Sequence, residues 1–238
     1  MSGRMNNGLS SWAFNDIRFY RRFTDDGSMI YVSSSIHKKE LTSRLMKDKP
    51  GVPSNVYYTS KYPLTILDID DHENVWVRES TDPNKATQDH LLKFTGQKFE
   101  RISLPPGYGG VDRVSCTGTM IAATFGNSIG PEPYRTFVRT GSEWKELPIP
   151  KGSVFSFVQK IFNNGLILGF VTDENRQNLQ QVVWKDDSIR LLNELPAWPK
   201  KGQFSIVTRA TRTGDLYVRS VLNTENGASE NYLLNVGL

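Results

Sequence analysis

A single cysteine, Cys116, in 238 residues rules out an internal disulfide framework and is compatible with a reducing compartment. No run of eighteen apolar residues occurs, so no transmembrane helix is expected. The opening MSGRMNNGLSSWAF lacks the apolar centre of a signal peptide, and a soluble, cytoplasmic-type protein is expected. Only three histidines are present, His37, His72 and His90, and none falls on a strand expected to line a central channel. A channel general base of that type is therefore missing. CxxC, HExxH and glycine-rich phosphate motifs are also absent, and Asp68-x-Asp70-x-His72 lacks the glycine and terminal glutamate of a calcium loop. No catalytic residue, metal ligand or cofactor is accordingly expected. A net charge of +4 is too weak to imply a nucleic-acid partner.

Helical periodicity is scarce, whereas β-branched and aromatic residues are spread along the whole chain. The stretch LTILDIDDHENVWVRESTDPNKATQDHLLKFTGQKFERISLP, 64–105, holds four strand-like pieces: Leu64–Ile69, Val75–Glu79, Leu91–Thr95 and Phe99–Leu104. Degraded copies recur on turn anchors at Gly27, Glu73, Gly118, Gly165 and Gly214, spaced by 46, 45, 47 and 49 residues. Glycine supplies the positive φ that a tight hairpin needs. An apolar run follows each anchor: MIYV, VWV, MIAA, ILGF and LYV. A second landmark reads VYYTSKYPL, LLKFTGQKFERISLP, FVRTGSEWKELPIP and VVWKDDSIRLLNELP, and the fifth copy stops inside it at YLLNVGL. The missing strand is found at the other terminus, in Ser11-Trp12-Ala13-Phe14.

Four-stranded units of this length are the signature of a propeller blade. The sequence therefore predicts an all-β fold: a five-bladed β-propeller of four-stranded antiparallel blades, closed by pairing of the N-terminal and C-terminal strands. It predicts a flexible arm over 1–10 and one propeller domain over 11–238. A 33–55 insertion in the first blade is expected to carry a turn or two of helix at Lys38–Lys47, with Leu41 and Leu45 on one face.

Five residues before the anchors stand Arg22, Asp68, Arg113, Lys160 and Arg209, each followed by an apolar residue. On innermost strands these would ring the channel, and converging cations attract anions. The same ring also reads as a hydrated channel whose charges are matched by Asp68, Asp112 and water. Tyr108 and Trp198 fall in the proline-rich corners between blades, where an exposed ring could stack on a sugar. Trp12, Trp76, Trp144 and Trp184 are assigned to the core. Corners and long loops are expected to share one face of the disc.

IDDHENVWV followed by LLKFTGQKFERISLP resembles the repeats of two-component-regulator-type and streptogramin-lyase-like propellers. In length and blade number the chain is similar to tachylectin-type lectins, a resemblance that implies sugar binding. The functional expectation is a non-enzymatic binding or scaffold module recognising an anionic small molecule, a glycan or a protein partner. Alternatives are a small propeller hydrolase or lyase using Asp68 and Asp112, and a structural subunit of a larger assembly.

Overall fold

The computed structural model describes residues 21–24, 26–38, 40–70, 72–81, 89–96, 98–117, 120–127, 133–195, 198, 204–210, 215–223 and 227–234. For 21–23, 127, 204–206, 208–210 and 221–223 only the backbone is described.

Consecutive segments fold back on one another into five antiparallel sheets taken in chain order. The first holds β1 (Arg21–Phe23), β2 (Met29–His37), β3 (Glu40–Lys49) and β4 (Val52–Ser60). The second holds β5 (Leu64–Ile69), β6 (Val75–Ser80), β7 (Asp89–Phe94) and β8 (Phe99–Ile102). The third holds β9 (Tyr108–Cys116), β10 (Ile121–Asn127), β11 (Arg135–Thr140) and β12 (Glu143–Glu146). The fourth holds β13 (Phe155–Ile161), β14 (Ile167–Thr172), β15 (Gln180–Lys185) and β16 (Ser188–Leu191). The fifth holds β17 (Phe204–Ala210), β18 (Leu216–Asn223) and β19 (Ala228–Leu234). First strands of successive sheets approach one another, β5 with β9 and β9 with β13. The fold is a β-propeller.

Pairing of Trp12 with the last strand lies outside the described residues, as do the arm over 1–10 and Gly118 and Gly214.

The helix expected at Lys38–Lys47 is instead the strand β3, paired with β2 through Ile36↔Leu41 and His37↔Glu40. The spacing of Leu41 and Leu45 did not discriminate, because four residues return to the same face of a strand as well as of a helix. The buried residues Ser43 and Leu45 follow the two-residue period. VYYTSKYPL shifts accordingly: VYYTS ends the outermost strand β4, and Leu64 already opens the next sheet. The 33–55 segment is thus not an insertion but the end of β2, all of β3 and the start of β4.

Where described, the anchors behave as their spacing implies. Gly27 and Gly165 take φ of 76° and 82°, and Glu73 takes the same left-handed conformation at 59° without being glycine. Asp70 supports that turn, its carboxylate accepting from the backbone N–H of His72 and Asn74 and from the Asn74 side-chain amide. This is turn chemistry, as read from the sequence. Gly169 has a different reason: a Cβ there would stand 2.2 Å from the Phe157 carbonyl oxygen and 2.5 Å from Trp184 Cζ3.

The cores lie between blades. Trp76 of the second sheet packs with Val111, Val114, Ile121 and Phe125 of the third, and Leu166 and Leu192 of the fourth pack with Leu216 and Leu234 of the fifth. Trp184 is fully enclosed, and Trp144 stands edge-on to Phe125 at 4.8 Å.

Each innermost strand is a sheet edge, so half of its backbone donors face away from its own sheet. On β9 and β13, side chains of the preceding blade accept from them. Asp89 Oδ2 accepts from Val111 N at 2.9 Å and Asp68 Oδ2 from Cys116 N at 2.9 Å. Thr124 Oγ1 accepts from Val158 N at 2.8 Å and Ser115 Oγ from Ile161 N at 3.0 Å. These bonds lace the second sheet to the third and the third to the fourth. Thr124→Val keeps the side-chain shape and removes the acceptor from Val158 N, so unfolding free energy in urea should fall by about 1–3 kcal/mol. An unchanged transition midpoint would show that the bond contributes nothing.

Candidate functional site between the second and third blades

The two middle strands of the second blade bring Glu79 and His90 directly opposite each other, as they do Ser80 and Asp89. The Glu79 carboxylate is enclosed at the seam with the first blade and accepts three hydrogen bonds. Tyr58 Oη donates at 3.0 Å and Ser60 Oγ at 2.5 Å, both to Oε1, while His90 Nδ1 lies 2.9 Å from Oε2. Burial alone would push Glu79 above its ordinary value of 4.5, but the bonds from Ser60, His90 and Tyr58 outweigh it and hold the carboxyl below that value. Tyr58, desolvated and bonded to the same carboxylate, is pushed up to about 12.

His90 is about three-quarters buried, and its ring lines a cavity of about 580 Å³. The walls come from three parts of the chain. Thr81, Asp89 and His90 flank the loop between β6 and β7; Arg101 and Ser103 come from β8 and its exit; Tyr108 comes from the start of β9. The residues flanking that loop and those of the corner thus border one cavity. Asp89 is already committed, accepting from Ser80 Oγ on one oxygen and Val111 N on the other. Tyr108 is set by the turn bond from its N–H to the Pro105 carbonyl, and its ring stands edge-on to Phe137 at 5.0 Å. Arg101 is exposed at the rim. A histidine whose Nδ1–H donates to a carboxylate presents the lone pair of Nε2 on its other side. The cavity therefore brings together an imidazole, a guanidinium and an aromatic ring, with the Asp89 carboxylate in its wall.

Of the ring of five, the side chains of Asp68, Arg113 and Lys160 are described, and Arg113 stands out of register with the other two. Asp68 accepts from Ile69 N and Cys116 N, and it joins two blades. Arg113 is exposed, its Nε 3.2 Å from Asp112 Oδ2 and its guanidinium 6.0 Å from the Phe157 ring. Lys160 is exposed, its Nζ 5.7 Å from the Phe162 ring. Asp68 and Lys160 each stand one residue from their strand ends, a place held in β9 by Ser115 rather than Arg113, because Gly118 follows the end of β9 more closely in sequence than Glu73 and Gly165 follow the ends of β5 and β13. The side chains of Arg22 and Arg209 lie outside the described residues. Trp198, in its corner, is half-buried against the core shared by the fourth and fifth blades. Of the residues singled out in the sequence, Tyr108 is the one that lines the large cavity. His90, Glu79 and Arg101 were missed. The signal available was the cross-strand offset of Glu79 and His90 about one hairpin, which needs the register before it can be read.

Among the described residues no group of three or more His, Cys, Asp and Glu converges as metal ligands, and no helix is long and apolar enough to cross a membrane.

No protein-family model matches the chain, and no curated protein matches it either. Solved structures do. TolB from Acinetobacter baumannii superposes with a TM-score of 0.53 at 14% identity, over 93% of this chain and 55% of that one. A puromycin-hydrolysing peptidase from Mycobacterium tuberculosis gives 0.50 at 11% identity, over 86% of this chain and 34% of that one. The β-propeller domain of the trilobed protease from Pyrococcus furiosus gives 0.46 at 10% identity, over 95% of both chains. This chain thus spans about half of the first and a third of the second. At such identities the likeness shows the fold alone.

Because the carboxyl of Glu79 is depressed in the folded state, it contributes stability above about pH 4.5 that is lost as pH falls through the folded value. Glu79→Gln should lower stability at neutral pH and flatten its decline below pH 5, measured by urea unfolding across that range. Parallel pH profiles for the two proteins would contradict this reading.

Proposed function

We propose that this chain is a recognition module that binds a small hydroxyl-bearing anion, such as an acidic sugar, in the cavity between the second and third blades. The observation that carries the reading is the joint placement of Glu79-bound His90, Arg101 and Tyr108 around about 580 Å³. That volume is within the range of small-molecule sites. Arg101 supplies a fork for a carboxylate or phosphate, His90 Nε2 an acceptor for a hydroxyl, and Tyr108 an apolar face for a ring. Arg113 and Lys160 add positive charge on the innermost strands and favour the approach of the same kind of ligand. A protein partner presenting such a group would use the same cavity.

A second reading rests on the Glu79–His90 pair itself. A carboxylate-oriented imidazole facing a cavity can take a proton from a hydroxyl or water, which would make the module a hydrolase. This differs from the acid/base pair considered on Asp68 and Asp112, whose carboxylates are engaged with neighbouring N–H groups and Arg113 respectively.

Calorimetric titration with acidic sugars, their neutral counterparts and nucleotides tests the proposal. Acidic sugars should bind best, and Arg101→Ala should weaken them about 10- to 100-fold, the range of a hydrogen bond to a charged group. His90→Gln should weaken ligands that carry a hydroxyl more than those that lack one. Equal affinity for acidic and neutral sugars, or indifference to Arg101→Ala, would contradict it. Product appearing during titration, and lost with His90→Gln, would favour hydrolysis.

A further inference from the structure

The strand β13 opens with Phe155-Ser156-Phe157, and the two-residue spacing puts both phenylalanines on one side of it. Their rings lie within 11° of parallel, with centroids 6.5 Å apart. Tyr134, just before β11 of the third blade, extends the row, its ring 5.6 Å from that of Phe157. The row is braced from behind. Ser156 N donates to the Tyr134 carbonyl at 2.9 Å, and Thr136 N donates to Ser156 Oγ at 2.8 Å. A Cβ on Gly126 would stand 3.0 Å from Tyr134 Cε1, so the tyrosine ring rests against glycine. Phe155 is buried, whereas Phe157 and Tyr134 keep part of their surface in solvent.

Two arginines lie over these rings. The Arg176 guanidinium stands 4.7 Å from the Phe155 ring and 5.9 Å from the Tyr134 ring, and that of Arg113 stands 6.0 Å from the Phe157 ring. Arg176 sits in the turn between β14 and β15 and takes φ of 57° without being glycine. Such a conformation is costly and persists where the surrounding structure enforces it. Asp173 does so here: its carboxylate accepts from Gln177 N and from the Asn178 side-chain amide, and its carbonyl accepts from Arg176 N. Asp173 is therefore committed to the turn, Asp112 is paired with Arg113, and Glu174 is exposed. Among the described residues the exposed Arg176 side chain makes no hydrogen bond or ion pair, and its contacts are the two rings. A guanidinium stacked on a ring face keeps its N–H donors around its edge, where a carboxylate or phosphate can take two at once.

From this geometry we infer that the Tyr134–Phe157 row and Arg176 bind a flat aromatic ring that carries a carboxylate or a phosphate. The ligand's ring stacks on the half-exposed rings, and its oxyanion takes the edge of the Arg176 guanidinium. Arg113 adds positive charge beside Phe157. None of these side chains lines the cavity at His90, so the acidic-sugar reading and this one stand or fall separately.

Amide chemical-shift mapping by NMR on the full chain tests the site. Adenosine monophosphate and benzoate join a ring to an oxyanion; adenosine offers the ring alone, and ribose phosphate the oxyanion without a flat ring. Saturable shifts at Phe155, Phe157 and Arg176 are expected with adenosine monophosphate, benzoate or both, and at least tenfold weaker binding of the other two. A response to adenosine monophosphate alone would identify a phosphate ligand, and to benzoate alone a carboxylate. Arg176→Gly accommodates the positive φ and removes the guanidinium, so it should weaken binding tenfold or more with the melting temperature unchanged. Arg101→Ala should leave these shifts as they are. Absence of saturable shifts with both joined probes would overturn the inference, as would equal binding of adenosine or ribose phosphate, or unchanged affinity in Arg176→Gly. A lower melting temperature in Arg176→Gly without any probe binding would assign the arginine to bracing the turn alone, and would overturn it too.

Discussion

The structure depends on how the free edges of the innermost strands β9 and β13 are satisfied. A sheet of four strands leaves donors on the strand nearest the axis, and water there competes poorly once blades pack side by side. Acceptors from the preceding blade answer this: Asp68 and Asp89 for β9, Ser115 and Thr124 for β13. Thr124 is fully buried and Ser115 is 6% exposed, and each of these hydroxyls accepts from a backbone N–H of the next blade. Nonpolar packing between blades is broad but carries little registry. The laced hydrogen bonds fix which residue of one blade stands beside which residue of the next.

That constraint also builds the candidate site. Asp89 fixes Val111, and with it the start of β9 that carries Tyr108. One strand pair earlier, Glu79 gathers Tyr58 and Ser60 from the first blade and orients His90. The cavity is therefore shaped by groups whose own partners are structural. A ligand would meet a preformed arrangement, which limits the ordering cost of binding.

Much of the architecture is legible in the residues. Turn spacing alone locates the strands of the second blade, and Glu73 adopting a positive φ shows that the anchor is set by turn geometry and not by glycine as such. The first blade is misleading where Leu41 and Leu45 fit two periods at once. The charged ring rests on offsets to the turn, and β9, which ends closer to its turn anchor than β5 and β13 do, carries Arg113 out of step with Asp68 and Lys160. Asp68 looks like a channel anion because a sequence cannot show that its carboxylate is claimed by Cys116 N from 48 residues away. The pairing of Glu79 with His90 depends likewise on strand register.

Native-state hydrogen exchange at the amides of Val111, Cys116, Val158 and Ile161 tests the lacing most directly. If side chains of the preceding blade hold these protons, they should exchange at the rate of global unfolding, together with amides inside their own sheets. Exchange of these four orders of magnitude faster than that of their sheet-paired neighbours would contradict the lacing and mean that the blades are joined by apolar packing alone.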